Sequence, residues 1–163
     1  MANYDGFEKA SYYGNKGEHV AIELLERNGF TTKDVVSSNP NFFTAGDIIA
    51  TKNNHNYFIE VKTDTTAHKS QNLVIEFSSN VEAGRDGWFH TSTADKFFFY
   101  LIGSNEMIIL DGPELRTYYK KALTRILETS QCDNCYTYKT GVIGLLSISE
   151  LQKLCKSFRR IQL

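Results

Sequence analysis

The stretch GDIIATKNNHNYFIEVKTD, Gly46 to Asp64, does most to limit how this chain can fold. Two apolar runs, Asp47 to Thr51 and Tyr57 to Lys62, flank the Asn-rich segment Lys52 to Asn56. Such runs around a turn-forming segment read as a β-hairpin. Side chains on a strand alternate between faces. Ile59 and Val61 therefore share one face, which suits a core. Glu60 and Lys62 share the other. If the two strands pair, Asp47 at the start of one lies near Glu60 at the end of the other.

Two meanings are open for this acid–base pair. A Glu-x-Lys on one strand face is usually a solvated ion pair that contributes little. The same residues also suit chemistry. Carboxylate oxygens gathered at one point are hard ligands for Mg²⁺ or Mn²⁺. A nearby ammonium stabilises developing phosphate charge.

The rest of the chain predicts a mixed architecture. Asp5 to Arg27 has helical spacing of Val20, Ile22, Leu24 and Leu25, and Asn28-Gly29 is a stop signal. Phe30 to Val36 reads as a short strand or extended entry and Ser37 to Asn41 as a loop. Asn72 to Ser78 is a further strand, Gly84 to Gly87 a turn, and Ser92 to Asp95 a short helical turn. Lys96 to Ile102 and Glu106 to Leu110 are two more strands. Gly112-Pro113 opens a helix, Glu114 to Glu128, with Pro early in it. A loop with Cys132 and Cys135 follows. Gly141 to Ile148 is a last strand, and Ser149 caps a final helix from Glu150 to Phe158. The order predicts an α/β or α+β domain with one central mixed β-sheet and helices on its faces.

Bulk properties narrow the setting. At 163 residues one domain is expected, residues 1–163. A net charge of −1 lacks the basic excess common in nucleic-acid binders, but acidic residues at the centre of a metal-dependent nuclease offset a basic rim. Three Cys argue against a disulfide framework. The start MANYDG lacks a basic and an apolar region, so no leader is expected, and no run approaches the roughly 20 apolar residues of a membrane span. A cytoplasmic protein that does not span a membrane is the expectation.

The hairpin resembles the core of the PD-(D/E)XK nuclease superfamily, in which an Asp precedes one strand and a Glu-x-Lys ends the next. Here the pattern is Gly46-Asp47-Ile48-Ile49-Ala50, then Phe58-Ile59-Glu60-Val61-Lys62. The segment KGEHVAIELLERNGF, Lys16 to Phe30, is similar to the opening helix of archaeal-type Holliday junction resolvases within that superfamily. Those carry a Gly-rich start, a Glu, and amphipathic turns ending in Gly-Phe; Glu18 falls at the matching place. The resemblance covers residues 14 to 64, and beyond them only element order agrees. Gly46 stands where the family name has Pro, a position that shapes the loop and supplies no ligand.

The resemblance implies a restriction-endonuclease-like core and a metal-dependent DNA endonuclease. Asp47 and Glu60 would be metal ligands, with the Val61 carbonyl as a third. Lys62 would be the catalytic lysine. Glu18 would bind a second metal or a metal-held water; Glu23, five residues on, is its rival. The cofactor would be Mg²⁺, with Mn²⁺ as a substitute. The reaction would be phosphodiester hydrolysis leaving 5′-phosphate and 3′-hydroxyl ends. A resolvase cuts two strands symmetrically, so a homodimer acting on a four-way DNA junction in recombination or repair is implied. Two other readings stay open: a restriction-, repair- or phage-type nuclease acting on duplex, flap or single-stranded DNA, and a non-catalytic DNA-binding or regulatory protein. A short stand-alone nuclease of this kind suits a phage or prophage.

Other residues carry weaker signals. Lys69, close after the catalytic strand, is the leading phosphate contact, followed by Ser38, Lys52 and Arg85. Lys33, Arg159 and Arg160 read as scattered surface charge. His68 is an exposed loop residue or a phosphate contact. Trp88-Phe89-His90 is core packing or a base-stacking platform. Phe97 to Tyr100 is sheet core, or a dimer surface if one face stays uncovered. Cys132-Asp-Asn-Cys135 lacks two further zinc ligands at suitable spacing, since Cys155 is the remaining Cys and no His follows. An ordinary loop pair is the reading.

Overall fold

The computed structural model describes residues 4–35, 45–133 and 137–163, with side chains over 11–35, 45–130 and 140–163. Helix α1 runs Tyr4–Arg27. Strands β1 (Thr31–Asp34), β2 (Ile48–Lys52) and β3 (His55–Asp64) follow. Next come α2 (Ala67–Ser70), β4 (Asn72–Asn80), β5 (Arg85–Asp86) and α3 (Trp88–Thr91). Then come β6 (Lys96–Leu101), β7 (Glu106–Asp111), α4 (Gly112–Ala122) and β8 (Leu123–Asp133). The chain ends with β9 (Thr137–Ser147), α5 (Ile148–Leu154) and β10 (Arg159–Gln162).

The expected central mixed sheet is present, flanked by helices. It has six strands in the order β1-β2-β3-β6-β7-β10. β3 and β6 run parallel, and every other neighbouring pair runs antiparallel. The hairpin that starts it turns on Asn53 and Asn54, with φ of 52° and 61°. A two-residue turn of this hand matches the strand twist, and Asn tolerates the left-handed conformation. The register follows directly, from Lys52 opposite His55 to Ile48 opposite Ile59.

Register decides what each face does. Ile48, Ala50, Ile59, Val61, Phe98 and Tyr100 face α1 and pack on its Ala21 and Leu25. Phe97, Phe99, Leu101, Ile108 and Leu110 form the opposite face. They pack against Leu73, Ile75, Leu115, Leu146 and Leu151. Each such fully buried side chain contributes roughly 1.5–3 kcal/mol. The Phe97–Tyr100 stretch is buried on both sides and is therefore sheet core.

The structure departs from expectation in several places. A second, antiparallel sheet exists in the order β5-β4-β9-β8, and the Asn72 run belongs to it. A local alternation pattern says nothing about which sheet a strand joins. The helix opened by Gly112-Pro113 ends at Ala122, not Glu128. Its expected last turn is the start of β8, which pairs with β9 along its length. Tertiary pairing overrides helix propensity there. Cys132 lies in β8 opposite Tyr138 rather than in a loop, and Cys135 falls outside the described residues. The short helix is Trp88–Thr91, ahead of the expected Ser92 turn. Ser147, not Ser149, caps α5 by accepting from the Glu150 N–H. That helix stops at Leu154, and β10 then adds an antiparallel edge strand against β7.

Candidate functional site

Asp47 is the first residue to fix. Gly46 before it has φ +127°, and a Cβ there would lie 2.6 Å from the Ile59 carbonyl oxygen. Only glycine combines that backbone with that approach. Proline, whose φ is held near −65°, is excluded. The close approach lets the Asp47 N–H donate to the Ile59 carbonyl at 2.7 Å. The Asp47 side chain then bridges the strands: Oδ2 accepts from the Val61 N–H at 2.7 Å.

Glu60 and Lys62 sit side by side on β3, level with Phe97 and Phe99 of β6. Glu60 is 6% exposed. Its Oε1 lies 2.5 Å from Lys62 Nζ, and its Oε2 accepts from Ser92 Oγ at 3.0 Å. The Lys62 ammonium also lies 5.1 Å from the centroid of the Trp88 ring.

Glu18 reaches the same region from α1. Gly17, one residue earlier, is buried against β3, where a Cβ would lie 2.0 Å from Thr63 Oγ1. This close contact brings the helix onto β3 beside the charged residues. Glu18 is partly buried, and its carboxyl is raised first by that burial, then by Asp47 and Asp34, with Lys62 opposing. Glu23 lies elsewhere: it is exposed and pairs with His19 at 3.3 Å and Arg27 at 3.5 Å.

Like charges crowd at this point. Asp47 is raised by burial first and by Glu60 next, with Lys62 and the Val61 N–H opposing, and Asp34 adds a smaller push. Four carboxylates thus act on one another around one ammonium. Burial with like-charge crowding disfavours the ionised carboxylate, and added positive charge relieves it. Among the described residues, no three His, Cys, Asp or Glu side chains gather closely enough to form a ready-made cation cage. Mg²⁺ keeps several waters and uses as few as one or two carboxylates. Asp47, Glu60 and the Val61 carbonyl fit that donor chemistry, with Glu18 adjacent.

The basic residues singled out in the sequence scatter. Lys69 is exposed on α2, a helix tied to the end of β3 by Asp64 Oδ1, which accepts from the Thr66 and Ala67 N–H groups at 2.7 Å each. Lys52 sits at the hairpin tip, about 16 Å along β3 from Glu60 at roughly 3.3 Å per residue. Its Nζ is bound to the Asn28 carbonyl at 2.6 Å, so it is not brought to the carboxylates. Arg85 is exposed on β5, three residues before Trp88. Ser38 falls outside the described residues. Lys33 is exposed on β1. Arg160 is paired with Glu106, and Arg159 bonds the Lys156 and Phe158 carbonyls. Phe89 is core, Trp88 packs on Lys62, and the exposed His90 stacks on Phe77 at 5.5 Å.

Two contributors, Asp34 and Ser92, escaped the sequence reading, and Trp88 was read only as core packing or a stacking platform. Asp34 ends β1 opposite Ile48 and acts on Asp47 and Glu18. Ser92 binds Glu60 and Trp88 flanks Lys62. The extended run Phe30 to Val36, which carries Asp34, was the available signal for it. Nothing local marked Ser92.

No protein-family model and no curated protein sequence matches the chain. Among solved structures, a bacterial homing endonuclease, I-Ssp6803I, superimposes over 65% of this chain and 67% of its own, with 14% sequence identity and a TM-score of 0.46. No helix among the described residues is long and apolar enough to cross a membrane.

Proposed function

We propose that this chain is a DNA endonuclease that hydrolyses phosphodiester bonds with Mg²⁺, or Mn²⁺ in its place. One observation carries the reading. Asp47, just before β2, is bonded to Val61 of β3 between the paired Glu60 and Lys62, with Glu18 acting on all three from the packed helix. A surface ion pair needs neither the burial of Glu60 nor the bridging of Asp47.

Asp47, Glu60 and the Val61 carbonyl would hold the cation, and Glu18 would hold a second or orient its surroundings. When bound, the cation supplies the positive charge that activates water and neutralises phosphate oxygens. The chain's own residues do the rest. Asp47 is pinned by its bond to Val61, so its position costs no reorganisation during the reaction. Lys62 places a positive charge where the pentacoordinate phosphorus gains negative charge. Glu60 holds that ammonium in place. Lys69 and Arg85 are candidates for flanking phosphates. Products with 5′-phosphate and 3′-hydroxyl ends follow from in-line attack and departure of the 3′-oxygen.

For the substrate we propose a branched, four-way junction cut by a homodimer, on the similarity of Lys16 to Phe30 to resolvase helices. The test is a cleavage panel with Mg²⁺: junction, flap, duplex and single strand, with wild type and Lys62→Ala. Junction cleavage by wild type alone supports the proposal. Faster duplex cutting at matched salt replaces the substrate class and keeps the nuclease. No cleavage of any substrate sinks the enzyme reading in favour of a binding or regulatory protein.

A further inference from the structure

The hairpin backbone sets where Glu60 and Lys62 start, but their charged ends are held by a different part of the chain. Trp88 and Ser92, four residues apart, meet the pair from opposite ends of α3. Ser92 is 5% exposed, and its Oγ donates to Glu60 Oε2 at 3.0 Å. The Trp88 ring lies over Lys62 Nζ and rests on Phe97 and Phe99, with centroids 5.6 and 6.3 Å away.

The segment is fastened on both sides. The Gly87 N–H donates to the Phe77 carbonyl at 2.8 Å, which ties its start to β4 of the second sheet. The Ser92 N–H closes α3 on the Trp88 carbonyl at 2.8 Å. The Ser92 carbonyl accepts from Arg116 Nη2 at 2.6 Å, and Arg116 lies 5.3 Å over Phe97. A buried serine whose carbonyl is held by an arginine and whose hydroxyl meets a buried carboxylate has little freedom to turn.

We propose that Ser92 is a positioning residue for Glu60, with Trp88 doing the same for Lys62, so that the Trp88–Ser92 segment orients the pair toward the cation and the phosphate. The proposal rests on the nuclease reading. Its physical basis is that a hydrogen bond to a carboxylate is shorter and stronger than one between neutral groups. Removing a partner that orients a metal-binding side chain typically costs about 10- to 100-fold in metal affinity.

Trp88 is the chain's one tryptophan, so indole emission, excited at the red edge where the tyrosines do not absorb, reports on this segment alone. Mn²⁺ quenches nearby indole fluorescence, which gives a binding curve without DNA or turnover. Wild type, Ser92→Ala and Ser92→Thr are titrated with Mn²⁺, after thermal melts establish that each is folded. Wild type is expected to quench saturably. Ser92→Ala shifts the midpoint about 10-fold or more upward, and Ser92→Thr, which keeps the hydroxyl, returns most of it. With DNA, Ser92→Ala lowers kcat and leaves KM near the wild-type value. Equal midpoints for wild type and Ser92→Ala overturn the positioning role and leave the nuclease reading intact. Equal loss in Ser92→Ala and Ser92→Thr also overturns it. Absence of saturable quenching in wild type overturns the cation site itself, and this proposal with it.

Discussion

Asp47 Oδ2 stands in for a strand partner: it accepts the Val61 N–H at 2.7 Å, one residue beyond the last paired position of β2. The side chain thereby has a structural and a chemical task, and two substitutions separate them. Asp47→Asn keeps an acceptor and loses the charge; cleavage is expected to fall about 10²-fold or more. Asp47→Ala also strands the Val61 N–H and costs about 1–3 kcal/mol of stability. The sign of the pH effect is set by the raised carboxyl. An acid raised by burial supports the fold while protonated, and that support is lost as pH climbs through its folded value. Without divalent cation, Asp47→Asn should therefore gain on wild type as pH rises from the ordinary 3.8 toward neutrality. Urea titrations across pH measure the difference.

Glu106 gives the opposite sign and serves as its control. Hydrogen bonds from Arg160 and then Ser104 hold its carboxyl at about 2, against an ordinary 4.5. A lowered acid stabilises the fold above its unfolded value and loses that effect as pH falls through the folded one. Glu106→Gln should be less stable than wild type above pH 4.5, and the gap should close toward pH 2. Acid denaturation curves of the two proteins test this.

Gly46→Ala is expected to be among the most damaging small substitutions. A positive φ in a non-glycine residue costs about 1–3 kcal/mol. The new Cβ would also meet the Ile59 backbone at 2.6 Å, where no side chain can rotate aside. Thermal melting should show a lowered midpoint, and cleavage should fall with it because Asp47 is displaced.

Gly17 behaves differently, because what it meets is a side chain. Gly17→Ala should cost about 1–3 kcal/mol by overpacking Thr63. Thr63→Ala in the same background removes the obstructing Oγ1 and should recover most of the loss. A double-mutant cycle reads the coupling directly.

Glu18 and Glu23 lie on one helix with unlike surroundings. Glu18→Gln should depress cleavage about 10²-fold, while Glu23→Gln leaves it unchanged. Exposed pairs such as Glu23 with Arg27 are worth about 0–1 kcal/mol, so stability should hardly move. Parallel rate measurements at saturating Mg²⁺ distinguish the two.

Periodicity made α1 and the β2–β3 hairpin legible, because their apolar faces are set by local spacing alone. The face shared by Glu60 and Lys62 follows from parity and needs no tertiary information. β8 was hidden because Lys120 to Glu128 is rich in residues that favour helices, and its strand state depends on β9. β10 was hidden for the same reason: Arg159 to Gln162 has no strand pattern of its own and is ordered by pairing with β7. Ser92 was illegible as a site residue because a serine opening a short helical turn looks like local structure, and its partner lies 32 positions away.

The two-residue turn at Asn53–Asn54 has a consequence for how such a hairpin can change over evolution. Its register ties residue number to face, so a gain or loss of one residue within β3 ahead of Glu60, with the pairing kept, would carry Glu60 and Lys62 under α1 and turn Ile59 and Val61 toward Trp88. Unless the turn or a bulge absorbs the extra residue, only even-numbered changes within the strands preserve both the core and the charged pair. The hairpin is free to drift in sequence far more readily than in length.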